Sequence, residues 1–337
     1  MKNLFVILLV LFSASYLKAQ RTHKEFKLID PEQKIEGSLY SKIDWIDSRV
    51  DTTNLGFVQL GMFNNKVKVI WEKPFTNQLN DILDSSTVDN SGNGELLLQL
   101  RKISFAELTK ATSEKGYFYI RAILYAKEGN SYRKLASIDS LSQVKGMDVT
   151  KKLLRLGSKT ITDFIQDNLK NDKKEEILYS YNDIVELDSY EKKDLKLYCT
   201  KEYKDGLYYT YAAFRDQMPD EQPTIKRRKD NSIAWVKIED EIKGQVKVKS
   251  KDVYALVIDG KPLIATRYGY YPLYKSKDYF YFVGDIQSTA NVGDVVGASM
   301  FFGVLGAIIA AESSRSNYFI VIDHINGGFV LYKELKG

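Results

Sequence analysis

Two histidines and one cysteine are the whole stock of side chains that most often attack, shuttle protons or hold transition metals. A Ser-His-Asp relay needs an imidazole within reach of a nucleophile. His23 stands near the start of the chain, where backbone is usually loose. His324 falls in Asp323-His324-Ile325-Asn326-Gly327, which reads as a turn between two strands. Cys199, in LKLYCTKEY, lies in a strand-like stretch and reads as a small buried apolar residue. A Cys/His zinc site takes four such ligands, more than the chain owns, and one Cys closes no disulfide within it. No Gly-x-Ser-x-Gly elbow, phosphate-binding Gly loop or His-Glu-x-x-His helix is present. The sequence therefore assigns no catalytic, cofactor-binding or metal residue, and implies no cofactor.

Carboxylates number 44, and a glycosidase needs only two at a set separation. Asp139, Asp259 and Asp323 lie at expected strand ends, where turn chemistry accounts for each. Tyr268, Tyr270, Tyr271, Tyr274 and Tyr279 could lay flat rings on sugar faces. On alternating strands they read first as core and cross-strand pairs. The basic run Lys226-Arg227-Arg228-Lys229, followed by Asp230, reads as a hydrophilic loop. No nucleic-acid module accompanies it, so nucleic acid is not an expected partner.

The elements that must position these residues follow from composition and pattern. With 337 residues, 44% hydrophobic and 28% charged, the chain can build one large domain or two small ones. The 23 Tyr, 16 Phe and only 6 Pro favour sheet. The opening MKNLFVILLVLFSASYLKAQ has Lys2, an apolar run Leu4–Phe12 and small residues up to Ala19, the pattern of a secretory signal peptide over 1–19. The apolar run is too short for a bilayer, which takes roughly 20 residues. Export to a periplasm or cell envelope is the expectation. Without Lys2 and Lys18 the formal net charge of +5 falls to +3, so the working chain is only mildly basic.

An α/β domain is expected over 20–175 and a β-rich domain over 190–337. Strands are expected at Ser38–Ile46 and within Leu55–Trp71, and Pro74 opens a helix with Phe75, Leu79, Ile82 and Leu83 at helical spacing. Long strands follow at Glu95–Leu108, Tyr117–Ala126 and Tyr132–Val144, the last two joined by a Glu128-Gly129-Asn130 turn. Asp148 is expected to cap a long helix whose Leu153, Leu156, Ile161, Phe164 and Ile165 form a broad stripe. Gly157 inside it marks a close crossing. The order and hydrophobic pattern of Gly56–Asn168 resemble the periplasmic α/β domain of ABC-transporter auxiliary lipoproteins, which implies a fold and no site residue.

Nine short strands are expected between Leu207 and Lys333, with Asp259-Gly260 and Asn326-Gly327 as tight turns. Gly206, Tyr208, Tyr211, Phe214, Asp259, Gly260 and Lys261 resemble a recurrent C-terminal module of uncharacterised exported bacterial envelope proteins, which implies architecture alone. Inside this half lies VVGASMFFGVLGAIIAA, 295–311. As a helix it would reach about 26 Å, the lower edge of bilayer thickness. Gly293, Gly297, Gly303, Gly306, Ala307 and Ala310 fall four apart in overlapping pairs, a spacing that lets helix backbones approach in lipid. Spanning a membrane, packing internally, and partial insertion or self-association are all compatible with it.

The sequence thus predicts an α+β chain: a mixed α/β domain with a long amphipathic helix, then a mostly antiparallel β domain, a small barrel or rolled sheet with a Gly/Ala-rich helical insert. The expected role is a non-enzymatic binding or assembly component of the cell envelope. Its expected partners are an envelope protein, membrane lipid or a second copy through the insert. A carbohydrate- or peptidoglycan-active hydrolase using paired carboxylates and a soluble ligand carrier are the alternatives.

Overall fold

A computed structural model describes residues 23–61, 65–88, 92–110, 113–172, 176–266, 268–277, 279–285 and 317–335. Among these the chain is α+β and dominated by strands. Residues 1–19, expected as a leader, and the apolar run 295–311 lie outside the described residues, as do Gly293, Gly297, Gly303, Gly306, Ala307 and Ala310. The chain forms two units: Met1–Trp45, Thr52–Leu124 and Ala136–Asp172 in one, Ile46–Asp51, Tyr125–Leu135 and Lys173–Gly337 in the other.

The first unit runs β1 (His23–Phe26), β2 (Tyr40–Asp47), β3 (Phe57–Leu60), β4 (Asn65–Trp71), α1 (Phe75–Ser86), β5 (Gly94–Lys110), β6 (Ser113–Glu128), β7 (Ser131–Gly146) and α2 (Thr150–Gln166), with the ends of β2, β6 and β7 falling in the second unit. β6 is central in the sheet order β2-β5-β6-β7. Both of its faces are buried: Phe118, Ile120 and Ala122 on one, Tyr119, Arg121 and Ile123 on the other. That is why its sequence lacks the polar alternation of a half-exposed strand. β1 pairs parallel with β4, placing His23 opposite Lys68. His23 is thus held in a strand rather than in loose terminal chain.

α2 lays Leu153, Ile161 and Ile165 into the core. Its N-cap is Val149, with no side-chain cap, not Asp148. Glu114 on β6 does the capping work instead, its Oε2 accepting from Val149 N–H at 3.2 Å. The close crossing expected at Gly157 is present: a Cβ there would stand 2.6 Å from Phe105 Cε1 and Cζ and 3.0 Å from Phe118 Cδ2. Gly157→Ala gains about 1 kcal/mol of helix propensity, but crowding two buried rings costs about 1–3 kcal/mol. A net loss is expected in urea denaturation. A variant more stable than the parent would show that the rings yield freely.

The second unit holds β8 (Leu178–Tyr179), α3 (Tyr181–Val185), α4 (Leu187–Lys193), α5 (Lys196–Cys199), β9 (Gly206–Tyr208), α6 (Tyr211–Arg215), β10 (Thr224–Arg227), β11 (Ile233–Asp240), β12 (Gly244–Val248), β13 (Ala255–Ile258), β14 (Lys261–Thr266), β15 (Gly269–Pro272), β16 (Tyr274–Lys275), β17 (Phe280–Asp285), β18 (Asn317–Ile322) and β19 (Phe329–Leu335). They form sheets β10-β11-β12, β15-β14-β13-β9 and β16-β17-β18-β19, and β8 pairs with the start of β7. One core joins Tyr208, Phe214, Ala255 and Ile264 to Phe280, Phe282 and Ile320. A smaller one gathers Leu207, Val236 and Leu256.

Asp259 and Gly260 both have positive φ, 53° and 69°, the two-residue hairpin turn that their dipeptide announces. Asn326-Gly327 closes a longer loop, in which Asp323 N–H donates to Gly328 O and Gly327 N–H to Asp323 O, both at 2.8 Å. Two other expectations are corrected. Cys199 ends a short helix and is exposed, its thiol donating to Lys193 O at 2.8 Å, because α5 follows directly on a helical turn. The basic run is half strand and half turn: Lys226 and Arg227 end β10, and Arg228 Nη1 donates to Ile233 O at 2.9 Å to close the hairpin.

Candidate functional site

Two features of the second unit go beyond what a core requires. The first is the outer face of the β16-β17-β18-β19 sheet. Along β17 and β18, Phe280, Phe282, Ile320 and Ile322 enter the core, so the strand period sends Tyr279, Tyr281 and Phe319 to the opposite side. There Tyr281 stacks on Phe319 at 4.3 Å and on Tyr274 at 5.4 Å. Tyr332 of β19 closes the row, 5.8 Å from Phe319 and 6.4 Å from Tyr279. Tyr274 and Tyr332 are each 49% exposed. A sheet apolar on both faces has a second surface that water covers poorly. In sequence, the apolar run 295–311 departs from β17 and returns to β18, the two central strands of this sheet.

The second feature is a carboxylate–imidazole cluster. α4 places Asp188 and Glu191 three residues apart, on one helix face. The turn between β18 and β19 brings His324 to them, its Nε2 2.8 Å from Glu191 Oε2. One ligand-type atom from each of Asp188, Glu191 and His324 lies within 4.8 Å of the other two. His324 is buried. The turn that carries it is pinned by two buried hydroxyls: Tyr211 Oη donates to His324 O at 2.6 Å and Tyr254 Oη to Gly327 O at 2.8 Å. Burial holds both phenols above their ordinary range, reinforced by the Asp323 carboxylate at Tyr211 and by the Tyr211 and Tyr198 phenols at Tyr254, so they stay donors. Tyr198 presents its ring edge-on to the imidazole at 6.5 Å. Its phenol is raised too, by burial first and then by Tyr211 and Asp323.

The other residues singled out by type have structural duties. Asp139 lies within β7 rather than at its end, accepting from Tyr119 Oη at 2.6 Å and Arg121 Nε at 2.9 Å. Asp259 shapes its turn, and Asp323 Oδ1 accepts from Ile325 N–H at 3.0 Å. The five tyrosines divide: Tyr274 and Tyr279 join the aromatic face, Tyr270 and Tyr271 pack against the two cores, and Tyr268 is exposed. Burial pushes Tyr270 up to about 12. In the first unit, Lys27, Asp30, Lys73 and Asp81 edge a groove of about 460 Å³, where Lys73 and Asp81 pair with each other.

Sequence reasoning did not single out Asp188, Glu191, Tyr281, Phe319 or Tyr332. Among the described residues no helix is long and apolar enough to cross a membrane.

No protein-family model matches the chain, and no curated protein matches it. Among solved structures, a Xanthomonas campestris protein of the family DUF330 is similar at 9% identity, covering 43% of this chain and 91% of that one, with a TM-score of 0.26. A TM-score of that size does not establish a shared fold.

Proposed function

We propose that the chain is an exported component of the cell envelope that works by binding and assembly rather than by breaking bonds, with the aromatic face of β16–β19 as its contact surface. The observation that carries this reading is the row Tyr274, Tyr281, Phe319, Tyr279 and Tyr332, partly buried at its middle and half-exposed at Tyr274 and Tyr332, on a sheet whose other face is already core. Tyrosine rings suit a headgroup boundary, apolar in body and polar at the tip. The apolar 295–311 run stands in sequence between β17 and β18 and makes this part of the chain still more apolar. In this reading the C-terminal part is a rolled sheet carrying that run as a helical insert. The leader-like 1–19, and the likeness of 56–168 to periplasmic domains of transporter auxiliary lipoproteins, agree with an envelope setting.

The test is fractionation of a didermal bacterial host expressing the full chain and its Tyr274→Ser/Tyr332→Ser variant. Both tyrosines are half-exposed, so the fold tolerates the exchange. The parent is expected in the membrane fraction, beginning at Gln20. Losing two half-buried rings at about 1 kcal/mol each shifts the variant toward the soluble pool by roughly thirtyfold. An unprocessed cytoplasmic chain overturns export, and a variant that stays with the membrane overturns the aromatic contact.

A further inference from the structure

We propose that Asp188, Glu191 and His324 form a binding site for one divalent cation of the zinc class. The inference goes beyond the contact reading above and stands whether or not that reading holds.

Three observations bring the site together. First, the donors come from two elements more than 130 residues apart, α4 and the β18–β19 turn, yet converge within 4.8 Å. Second, the imidazole is not a surface group beside surface acids: His324 is buried, and its Nε2 faces a carboxylate. Third, its turn is held by the Tyr211 and Tyr254 hydroxyls, so the ring is oriented before any ligand arrives. Fixing the backbone of a ligating turn is the usual work of groups behind a metal ligand.

The donor set selects the cation. One imidazole nitrogen with two carboxylate oxygens suits zinc and its first-row neighbours, whereas calcium and magnesium favour all-oxygen shells. At bond lengths near 2.0–2.2 Å, tetrahedral donors stand roughly 3.3 Å apart. The Nε2 to Oε2 separation is already 2.8 Å, so the ion needs a slight parting there and a closing in of Asp188. It would replace the hydrogen bond between His324 Nε2 and Glu191, the neutral imidazole binding through Nε2 and carrying its proton on Nδ1. A fourth position would be left for water. The bound ion would tie α4 to the last hairpin. That is a cross-link a chain with a single cysteine cannot make by disulfide.

The test is calorimetric titration of the full chain, purified without a polyhistidine tag, with zinc chloride and separately with magnesium chloride. One zinc per chain is expected, with a raised melting temperature and no saturable magnesium binding. Glu191→Gln keeps an acceptor for the His324 N–H and so keeps the fold, while Asp188→Asn alters a partly exposed residue. Each is expected to weaken zinc binding at least tenfold, and His23→Ala to leave it unchanged. Absence of a saturable 1:1 event, equal binding of magnesium, or unaltered zinc affinity in both variants would overturn the site. Vesicle or membrane partitioning plays no part in these readouts.

Discussion

Gly327→Ala is expected to cost about 5 kcal/mol, a large part of the roughly 5–15 kcal/mol that holds an ordinary domain folded. Gly327 has φ +74°, and a Cβ built on it would stand 2.2 Å from Tyr211 Cγ and 2.5 Å from Tyr211 Cβ. Those are the root atoms of a buried side chain, not the tip of a flexible one, so the ring cannot swing clear. The strained backbone costs about 1 kcal/mol, and the overpacking about 1–3 kcal/mol more. Moving Tyr211 also removes its hydroxyl from His324 O, and displacing the turn loosens Tyr254 from Gly327 O. Each lost bond to a buried acceptor adds about 1 kcal/mol. Gly260→Ala is the matched comparison: its φ is +69°, but nothing lies within 4 Å of the added carbon. It should lose only about 1 kcal/mol. Urea midpoints of the two variants decide the matter. Equal losses would mean that left-handed backbone, and not the approach of Tyr211, sets the requirement for glycine.

That contrast also separates what neighbouring residues announce from what only the folded chain assembles. Asp259-Gly260 and Gly129-Asn130 are local signals, with turn and flanking strands written into a few adjacent residues. The hairpins form where expected, β13–β14 joined through Asp259-Gly260 and β6–β7 through Gly129-Asn130. β1 is unreadable in sequence because it pairs with β4, 45 residues away, and four residues with a polar start carry no pattern of their own. The helices α3 to α5 hide behind charge. Ser180 and Asp183 form a capping box, a legible start signal, but helices this short never build an apolar stripe long enough to detect. His324 and Glu191 meet across 133 positions. No spacing rule reaches that far, since the convergence is made by the β18–β19 turn and its tyrosine pins. The outer aromatic face is half legible. Tyr274 and Tyr279 stand out by type, whereas Phe319 and Tyr332 join them only once β18 and β19 pair.

Between pH 5 and pH 8 the chain is expected to lose about 3 kcal/mol of stability through one residue, Glu107 on β5. It is 2% exposed, its Oε2 accepts from Gln59 N–H at 2.7 Å, and its Oε1 has no hydrogen-bond partner among the described residues. Burial drives its pKa from the ordinary 4.5 to about 7, against the opposing pull of the Gln59 N–H and the Thr150 hydroxyl, with Glu114 and Asp148 adding a little. The folded carboxyl therefore keeps its proton where the unfolded one has lost it. Below pH 4.5 both forms are protonated and the group contributes no pH dependence. As pH rises to about 7 the folded state holds the extra proton, and stability falls by roughly 1.4 kcal/mol per pH unit. Above that the full penalty of about 3 kcal/mol remains. Glu107→Gln keeps the acceptor for Gln59 and removes the ionisation. It should match the parent within about 1 kcal/mol at pH 5 and exceed it by about 2 kcal/mol at pH 8. The difference between the two proteins, taken from urea unfolding at each pH, cancels every other titrating group. A difference that stays constant across the range, or that favours the parent at pH 8, would show that Glu107 ionises in the folded chain as easily as in water.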